Sequence, residues 1–361
     1  MAVSIKSRVK AIFERSKGAQ VIVLVNGGTL PDPNFIYLTG YTNSAFENDI
    51  LVFTRSSAYH ITSPLDYGAA MLEKHPEIKI ILADKAGTHR KLLSKLLKGK
   101  KVGINASFLT VNVHQAIKKR YKPKSTIDVS GAFDSTRLVK SEHEIAQIKK
   151  AVLITKWAML AIQKEFAAGM SEKALAAKFD MISAQLGSRQ PSFETIVCFG
   201  KNAALPHHVP DETKLQNGDF ILIDAGAKVN NYCSDLTRTF IFGEQKGKEA
   251  IQIYETVKKA QVLSIRAIKP GVKASKIYDI ANDYINKVHG GKYKGKFTHA
   301  LGHSLGIEVH DSMARLLSPK ANDKLVPGMV VTVEPGIYIS GLGGVRIEDD
   351  IVVTEESHII L

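Results

Sequence analysis

The sequence predicts an α/β domain with a mixed sheet, followed by a larger α+β domain of internally repeated order. Over residues 1–133, short β-rich runs alternate with helical patterns. Over residues 134–361 two helices precede antiparallel hairpins, and the order helix, helix, strands then occurs again, as in a duplicated unit with pseudo-twofold symmetry. In each repeat one largely apolar hairpin carries a pair of carboxylates.

Val21–Val25, Asp49–Phe53, Tyr59–Thr62, Ile78–Leu82 and Lys101–Ile104 are strand-length runs rich in aliphatic residues. Asp66–His75, Thr88–Lys98 and Asn112–Lys119 have helical spacing, and Asn34–Tyr41 reads as a structured loop-and-strand segment. The domain boundary falls near Asp134–Lys140. Beyond it, Ser141 and Glu144 form an S-x-x-E capping box that starts a long helix at Glu142. A second helix covers Ser171–Leu186, and a third covers Glu249–Ile268, stopped by Pro270-Gly271. The fourth, Ser275–Val288, aligns Ile277, Ile280, Ala281, Tyr284 and Val288 in one apolar stripe and ends at Gly290-Gly291.

Composition narrows the classes of function. The chain has 361 residues, 44% hydrophobic and 23% charged, as expected of a globular protein with a sizeable core. The net charge of +14 includes Lys91, Lys95, Lys98, Lys100 and Lys101, but the first of these alternate with Leu92, Leu93, Leu96 and Leu97. That is the wet face of an amphipathic helix, without the interleaved aromatics of a base-stacking surface, so no nucleic-acid partner is expected. No apolar run approaches the roughly 18 residues of a membrane span. Charges interrupt the N-terminal segment where a signal-peptide core would lie. Two cysteines, Cys198 and Cys233, make no disulfide framework and fit a reducing, cytoplasmic setting.

The carboxylates carry the chemistry. A turn centred on Val229-Asn230 predicts Asp224 directly opposite Asp235, and one centred on Gly341 predicts Glu334 opposite Glu348. Facing cross-strand side chains stand about 4.5–5.5 Å apart, where like charges repel. Doing this twice in apolar strands calls for cations, and a two-metal site is the economical account. Taken singly, Asp224 before Ala225-Gly226 would read as a turn cap, and Asp349 and Asp350 as an exposed acidic edge. Cys233 shares a face with Asp235 but reads as core, because oxygen-rich sites prefer harder ions.

Four histidines cluster: His207 in Pro206-His-His208, and His299, His303 and His310 in one short stretch. His299 and His303 have the spacing of an H-E-x-x-H zinc helix, but position 300 is Ala, which removes the general base, and Gly302 weakens a helix there. One clustered histidine instead completes the carboxylate set as a fifth ligand. Two divalent cations would neutralise the four acids and lower the pKa of a shared water. Neutral histidines nearby would donate to a developing oxyanion and pass a proton to a leaving amine. The reaction class is hydrolysis of a carbonyl-containing bond.

Ser192-Phe-Glu-Thr-Ile-Val, Pro206-His207, Asp224, Tyr232-Cys-Ser-Asp235-Leu-Thr-Arg-Thr, Gly302-His303, Val309-His310, Glu334-Pro-Gly and Gly343-Gly-Val-Arg-Ile-Glu348-Asp together resemble the pita-bread metallopeptidases over residues 135–361. The N-terminal domain resembles that of Xaa-Pro dipeptidases (prolidases), Xaa-Pro aminopeptidases and creatinase. The resemblance implies that Asp224 and Asp235 bind one metal and His303 and Glu334 the other, with Asp235 and Glu348 bridging. It implies that Glu334 manages the proton of the attacking water and that His207 and His310 contact the scissile peptide. His299 would line the same wall, and Arg346 would support a ligand or a carboxylate. A dipeptidase must also recognise the product-side carboxylate, with Arg315 or Arg346 as the candidates. The implied ions are manganese or cobalt, ahead of zinc or iron. Xaa-Pro dipeptides or short peptides are the implied substrates, and a homodimer through the N-terminal domain the implied assembly. Cleavage before proline as a dipeptidase is the expectation; an aminopeptidase acting on longer peptides is the alternative, and a non-catalytic binding protein the remote one. Ser304 and Asp311 depart from the usual Gly and Glu of the family, and neither removes a ligand.

Overall fold

The computed structural model describes residues 4–27, 31–42, 46–84, 87–244, 247–312 and 316–361. The chain divides into two compact units, Met1–Arg137 and Leu138–Leu361. The last helix of the first unit is Ser130–Arg137.

In the first unit β1 (Val21–Val25), β2 (Ile50–Phe53), β3 (Ala58–Thr62), β4 (Ile78–Leu82), β5 (Lys101–Ile104) and β6 (Ser125–Asp128) form one sheet in the order β4-β3-β2-β1-β5-β6. The sheet is mixed: β1 is antiparallel to β2 and parallel to β5. Val21, Val23, Val52, Ile61 and Val102 pack with Leu93 and Leu97 of a flanking helix, Thr88–Leu97. The segment expected as loop-and-strand is instead a helix, Pro33–Thr39. Its capping explains the difference. The Asp32 carboxylate accepts from Asn34 N–H at 2.8 Å, Pro33 takes the first turn, and Gly40 closes the end at φ 69°.

The second unit repeats one arrangement. Helices α1 (Glu142–Ala161) and α2 (Glu172–Gln185) precede β7 (Ile196–Phe199), β8 (Phe220–Ala225), β9 (Lys228–Val229), β10 (Tyr232–Cys233) and β11 (Leu236–Ile241). Helices α3 (Lys248–Ala267) and α4 (Ala274–Lys287) precede β12 (Val330–Val333), β13 (Gly336–Ile339), β14 (Gly343–Arg346), β15 (Asp349–Val353) and β16 (His358–Ile360). The capping box at Ser141 and Glu144 starts α1 as expected. Each half is a three-stranded antiparallel sheet, β11-β8-β7 or β12-β15-β16, with a two-stranded ribbon between its two leading strands.

The first hairpin is registered differently from the expectation. Leu236 faces Ala225 and Thr237 faces Asp224, and in the ribbon Tyr232 faces Val229. The turn is therefore Asn230-Asn231, with φ of 46° and 70°. A two-residue hairpin turn of this hand needs positive φ at both central residues, which Asn tolerates and β-branched Val229 does not. Asp224 and Asp235 are consequently diagonal neighbours, not a facing pair. The second hairpin keeps the expected register: Gly336 faces Arg346 and Val333 faces Asp349, which leaves Glu334 opposite Glu348 where the ladder is interrupted at Pro335. Asp350 is fully buried, so the acidic run is no exposed edge.

Candidate metal centre and active site

Asp224 is the penultimate residue of β8, Asp235 lies between β10 and β11, Glu334 between β12 and β13, and Glu348 between β14 and β15. Asp235 and Glu348 thus occupy equivalent junctions of the two halves. The halves exchange hydrogen bonds there. Glu348 N–H donates to Thr237 O at 3.1 Å, the Thr237 hydroxyl donates to Glu348 Oε2 at 2.7 Å, and Asp235 N–H donates to Asp350 Oδ2 at 3.0 Å.

His303 arrives on an extended segment beside β12. Glu334 N–H donates to Leu301 O at 2.9 Å, Thr332 N–H to His303 O at 2.9 Å and Leu305 N–H to Val330 O at 3.1 Å. The ring Nδ1–H of His303 donates to Ser304 O at 3.2 Å, which turns the Nε2 lone pair toward Asp235 Oδ2 at 3.3 Å and Glu334 Oε1 at 3.6 Å. Donor atoms of Asp235, His303 and Glu348 all lie within 4.8 Å of one another.

Unpaired oxygens show that these residues fit cations. Asp224 Oδ1, Asp235 Oδ1 and Glu348 Oε1 are buried without a hydrogen-bond partner, and a buried acceptor left so is costly. Burial holds Asp235 well above the usual carboxylate range, with Asp224, Asp350 and Glu334 adding to it. Burial, then Asp235, Glu334 and Asp224, does the same to Glu348. Glu334 is pushed to about 7 by burial, against the opposing pull of His303 and Arg346. Four oxygen donors with one imidazole suit hard or borderline divalent ions.

The histidines gather at the same carboxylates: His299 Nδ1 stands 3.8 Å from Glu334 Oε2. The His303 and His310 rings meet edge to face at 4.4 Å between centroids. Burial and then the neighbouring His303 and His207 lower His310 to about 4. Burial and Arg346 lower His299 to about 4, with His207 again contributing, so His207 lies within electrostatic reach of both. His299 Nδ1–H donates to Ala300 O at 2.7 Å, and its Nε2 accepts from Tyr338 O–H at 2.9 Å. Both ring nitrogens are occupied, so His299 lines the wall without a free N–H for substrate.

Arg346 is not placed to bind substrate. It is 3% exposed, and its guanidinium donates to Asp224 Oδ2 at 2.6 Å, Tyr338 OH at 3.0 Å and Thr237 Oγ1 at 3.1 Å. It holds the carboxylate of Asp224, a candidate ligand. Arg315, the other candidate for a substrate carboxylate, lies outside the described residues. Asp311 pairs with Lys140 Nζ at 3.1 Å, and the Ser304 hydroxyl donates to Asp311 O. The two departures from the family pattern brace their own turn. Cys233 is core: burial raises its thiol to about 11, and Sγ–H donates to Ile307 O at 3.3 Å. The sequence gives Thr237 and Tyr338 no role, and Asp350 only that of an exposed acidic edge. Asp350 and Thr237 each lie two residues beyond a ligand candidate, and strand alternation would have found them.

Residues 146–355 match the metallopeptidase family M24 and residues 7–139 the creatinase/prolidase N-terminal domain. An Xaa-Pro dipeptidase of Pyrococcus horikoshii is 35% identical over 326 residues, 90% of this chain and 88% of that protein. The solved structure of an Xaa-Pro dipeptidase from Bacillus anthracis superposes with a TM-score of 0.89 at 30% identity, covering 99% of this chain and 97% of that one. An X-Pro aminopeptidase from Thermotoga maritima gives 0.85 at 29% identity, covering 95% of each chain. The chain belongs to metallopeptidase family M24, with a creatinase/prolidase-type N-terminal domain.

Proposed function

We propose that the protein is an Xaa-Pro dipeptidase that uses two divalent ions to hydrolyse the bond preceding proline. The observation that carries the reading is the cage of buried, unpaired carboxylate oxygens around His303 Nε2. Relatives named Xaa-Pro dipeptidase, at 35% and 37% identity, support the substrate class. Asp224 and Asp235 would hold one ion, His303 and Glu334 the other, with Asp235 and Glu348 shared. Bound there, the ions supply Lewis acidity and lower the pKa of a water.

The protein's own groups do the rest. Glu334, whose proton affinity burial raises, takes up a proton from the attacking water. His310 is kept neutral, so His310 and His207 serve as N–H donors to the carbonyl oxygen as it gains charge. Proline at the second position yields a tertiary amide with no N–H. A site that grips the carbonyl does not need that donor.

The oxygen-rich donor set supports manganese or cobalt. The two buried, unpaired cysteines support a reducing, cytoplasmic setting. A homodimer rests on the family resemblance, and sedimentation tests it. Among the described residues no helix is long and apolar enough to cross a membrane.

Turnover of Leu-Pro against an Xaa-Pro-Xaa tripeptide tests the substrate. Leu-Pro cleavage is expected; tripeptide cleavage without dipeptide activity would establish the aminopeptidase reading, which the Thermotoga structure favours.

A further inference from the structure

Glu172, the first residue of α2, is fully buried and lies outside the carboxylate cage. Its Oε1 accepts from Phe199 N–H at 2.7 Å and Asn202 Nδ2 at 3.0 Å. Its Oε2 accepts from His208 Nε2–H at 2.7 Å and Asp211 N–H at 3.1 Å. Phe199 and Asn202 precede His207 in the chain, and His208 and Asp211 follow it. One carboxylate therefore ties together both legs of the loop that presents His207.

The backbone reinforces the tie. Glu172 N–H donates to Thr213 O and Lys173 N–H to Asp211 O, each at 3.2 Å, so the start of α2 carries the far leg directly. Asn202 Nδ2 also reaches Thr213 Oγ1 at 3.1 Å, across the loop. His207 itself is exposed and makes no such bond among the described contacts, so its place is set by its neighbours.

Glu172, His208 and Asp211 have donor atoms close enough to suggest an ion site. Each Glu172 oxygen already accepts two protein donors, however, so none is left over for a cation.

We propose that Glu172, through His208 and the two legs of the loop, is a positioning residue for His207. The inference rests on the reading of His207 as a donor to the substrate carbonyl. A loop held by one buried carboxylate fixes that donor in place, and a misplacement of about 1 Å costs on the order of 10²-fold in rate.

A double-mutant cycle on the full-length, manganese-loaded protein with Leu-Pro tests this. E172Q sets an amide N–H₂ against the His208 and Asp211 donors. It is expected to lower kcat roughly 10- to 100-fold with KM within about twofold, because the lost interaction acts in the transition state. In an H207A background the same change is expected to cost less than about twofold, since its target is gone. Equal losses in both backgrounds, or an E172Q enzyme with wild-type kcat, would overturn the positioning role. If E172Q does not fold, H208Q enters the same cycle with the same expectations. An H207A enzyme of normal kcat would instead refute the catalytic reading of His207, and the two failures are distinct.

Discussion

Gly302→Ala perturbs the site through backbone alone. Gly302 lies in the extended segment beside β12, immediately before His303. A Cβ there would stand 2.0 Å from Thr332 O and 2.7 Å from Thr332 C, both backbone atoms of β12. Contacts below 3.0 Å are essentially never tolerated, so the two segments must part by at least 1.0 Å, the difference between 3.0 and 2.0 Å. No side-chain rotation relieves this. Parting strains the bonds from Thr332 N–H to His303 O and from Glu334 N–H to Leu301 O, both 2.9 Å. His303 then moves relative to Asp235 and Glu334, which it faces at 3.3 and 3.6 Å. A shift of that size costs on the order of 10²-fold in kcat, and overpacking costs about 1–3 kcal/mol of stability. Leu-Pro turnover at saturating manganese, with metal content by elemental analysis, is the assay. Gly131→Ala is the control, because a Cβ there meets nothing within 4 Å. A G302A protein with full metal content and kcat within about twofold of wild type would refute the placement of His303.

Three further outcomes follow from the same geometry. Arg346→Met leaves the Asp224 carboxylate without its buried partner, so metal-free protein should lose roughly 3–5 kcal/mol by denaturant titration; loaded protein should lose less, and an equal loss would show that no cation neutralises Asp224. Glu334 rises from 4.5 to about 7 in the folded protein, so the native state holds a proton there that the unfolded chain has released. The stability of the metal-free protein should therefore fall as pH rises between about 4.5 and 7. His299 and His310, lowered from 6.5 to about 4, oppose this below pH 6.5, so the decline is clearest above it. Urea midpoints that rise steadily through neutrality in the presence of chelator would contradict the cage. Asn231→Val forces a β-branched residue to φ 70° and should destabilise by roughly 1–2 kcal/mol, with N231G close to neutral; an unchanged denaturation midpoint for N231V would dispute the turn.

The legible part of the site was its set of candidate ligands, because acids in apolar strands are conspicuous whatever the register. The Glu334 and Glu348 pairing was also legible, since Gly341 marks its turn. The register at Asp224 was not. Asn230 and Asn231 both take positive φ, and placing Val229 in the turn instead displaced the pairing by two residues. Pro33–Thr39 is ambiguous in sequence because a short apolar run with aromatic residues suits a strand as well as a helix. Its Asp-Pro start and Gly stop are the signals that favour the helix. Arg346 shares a strand face with Glu348, but only tertiary packing shows that Asp224, Tyr338 and Thr237 take up its donors. Glu172 had no sequence signal, because its partners are brought together by the meeting of α2, β7 and the loop after it.

Anomalous scattering from a crystal grown in manganese tests the central claim most directly. Two peaks roughly 3.5–4 Å apart among Asp224, Asp235, His303, Glu334 and Glu348 are expected. A well-ordered cleft with no anomalous density between those side chains would contradict the dinuclear centre.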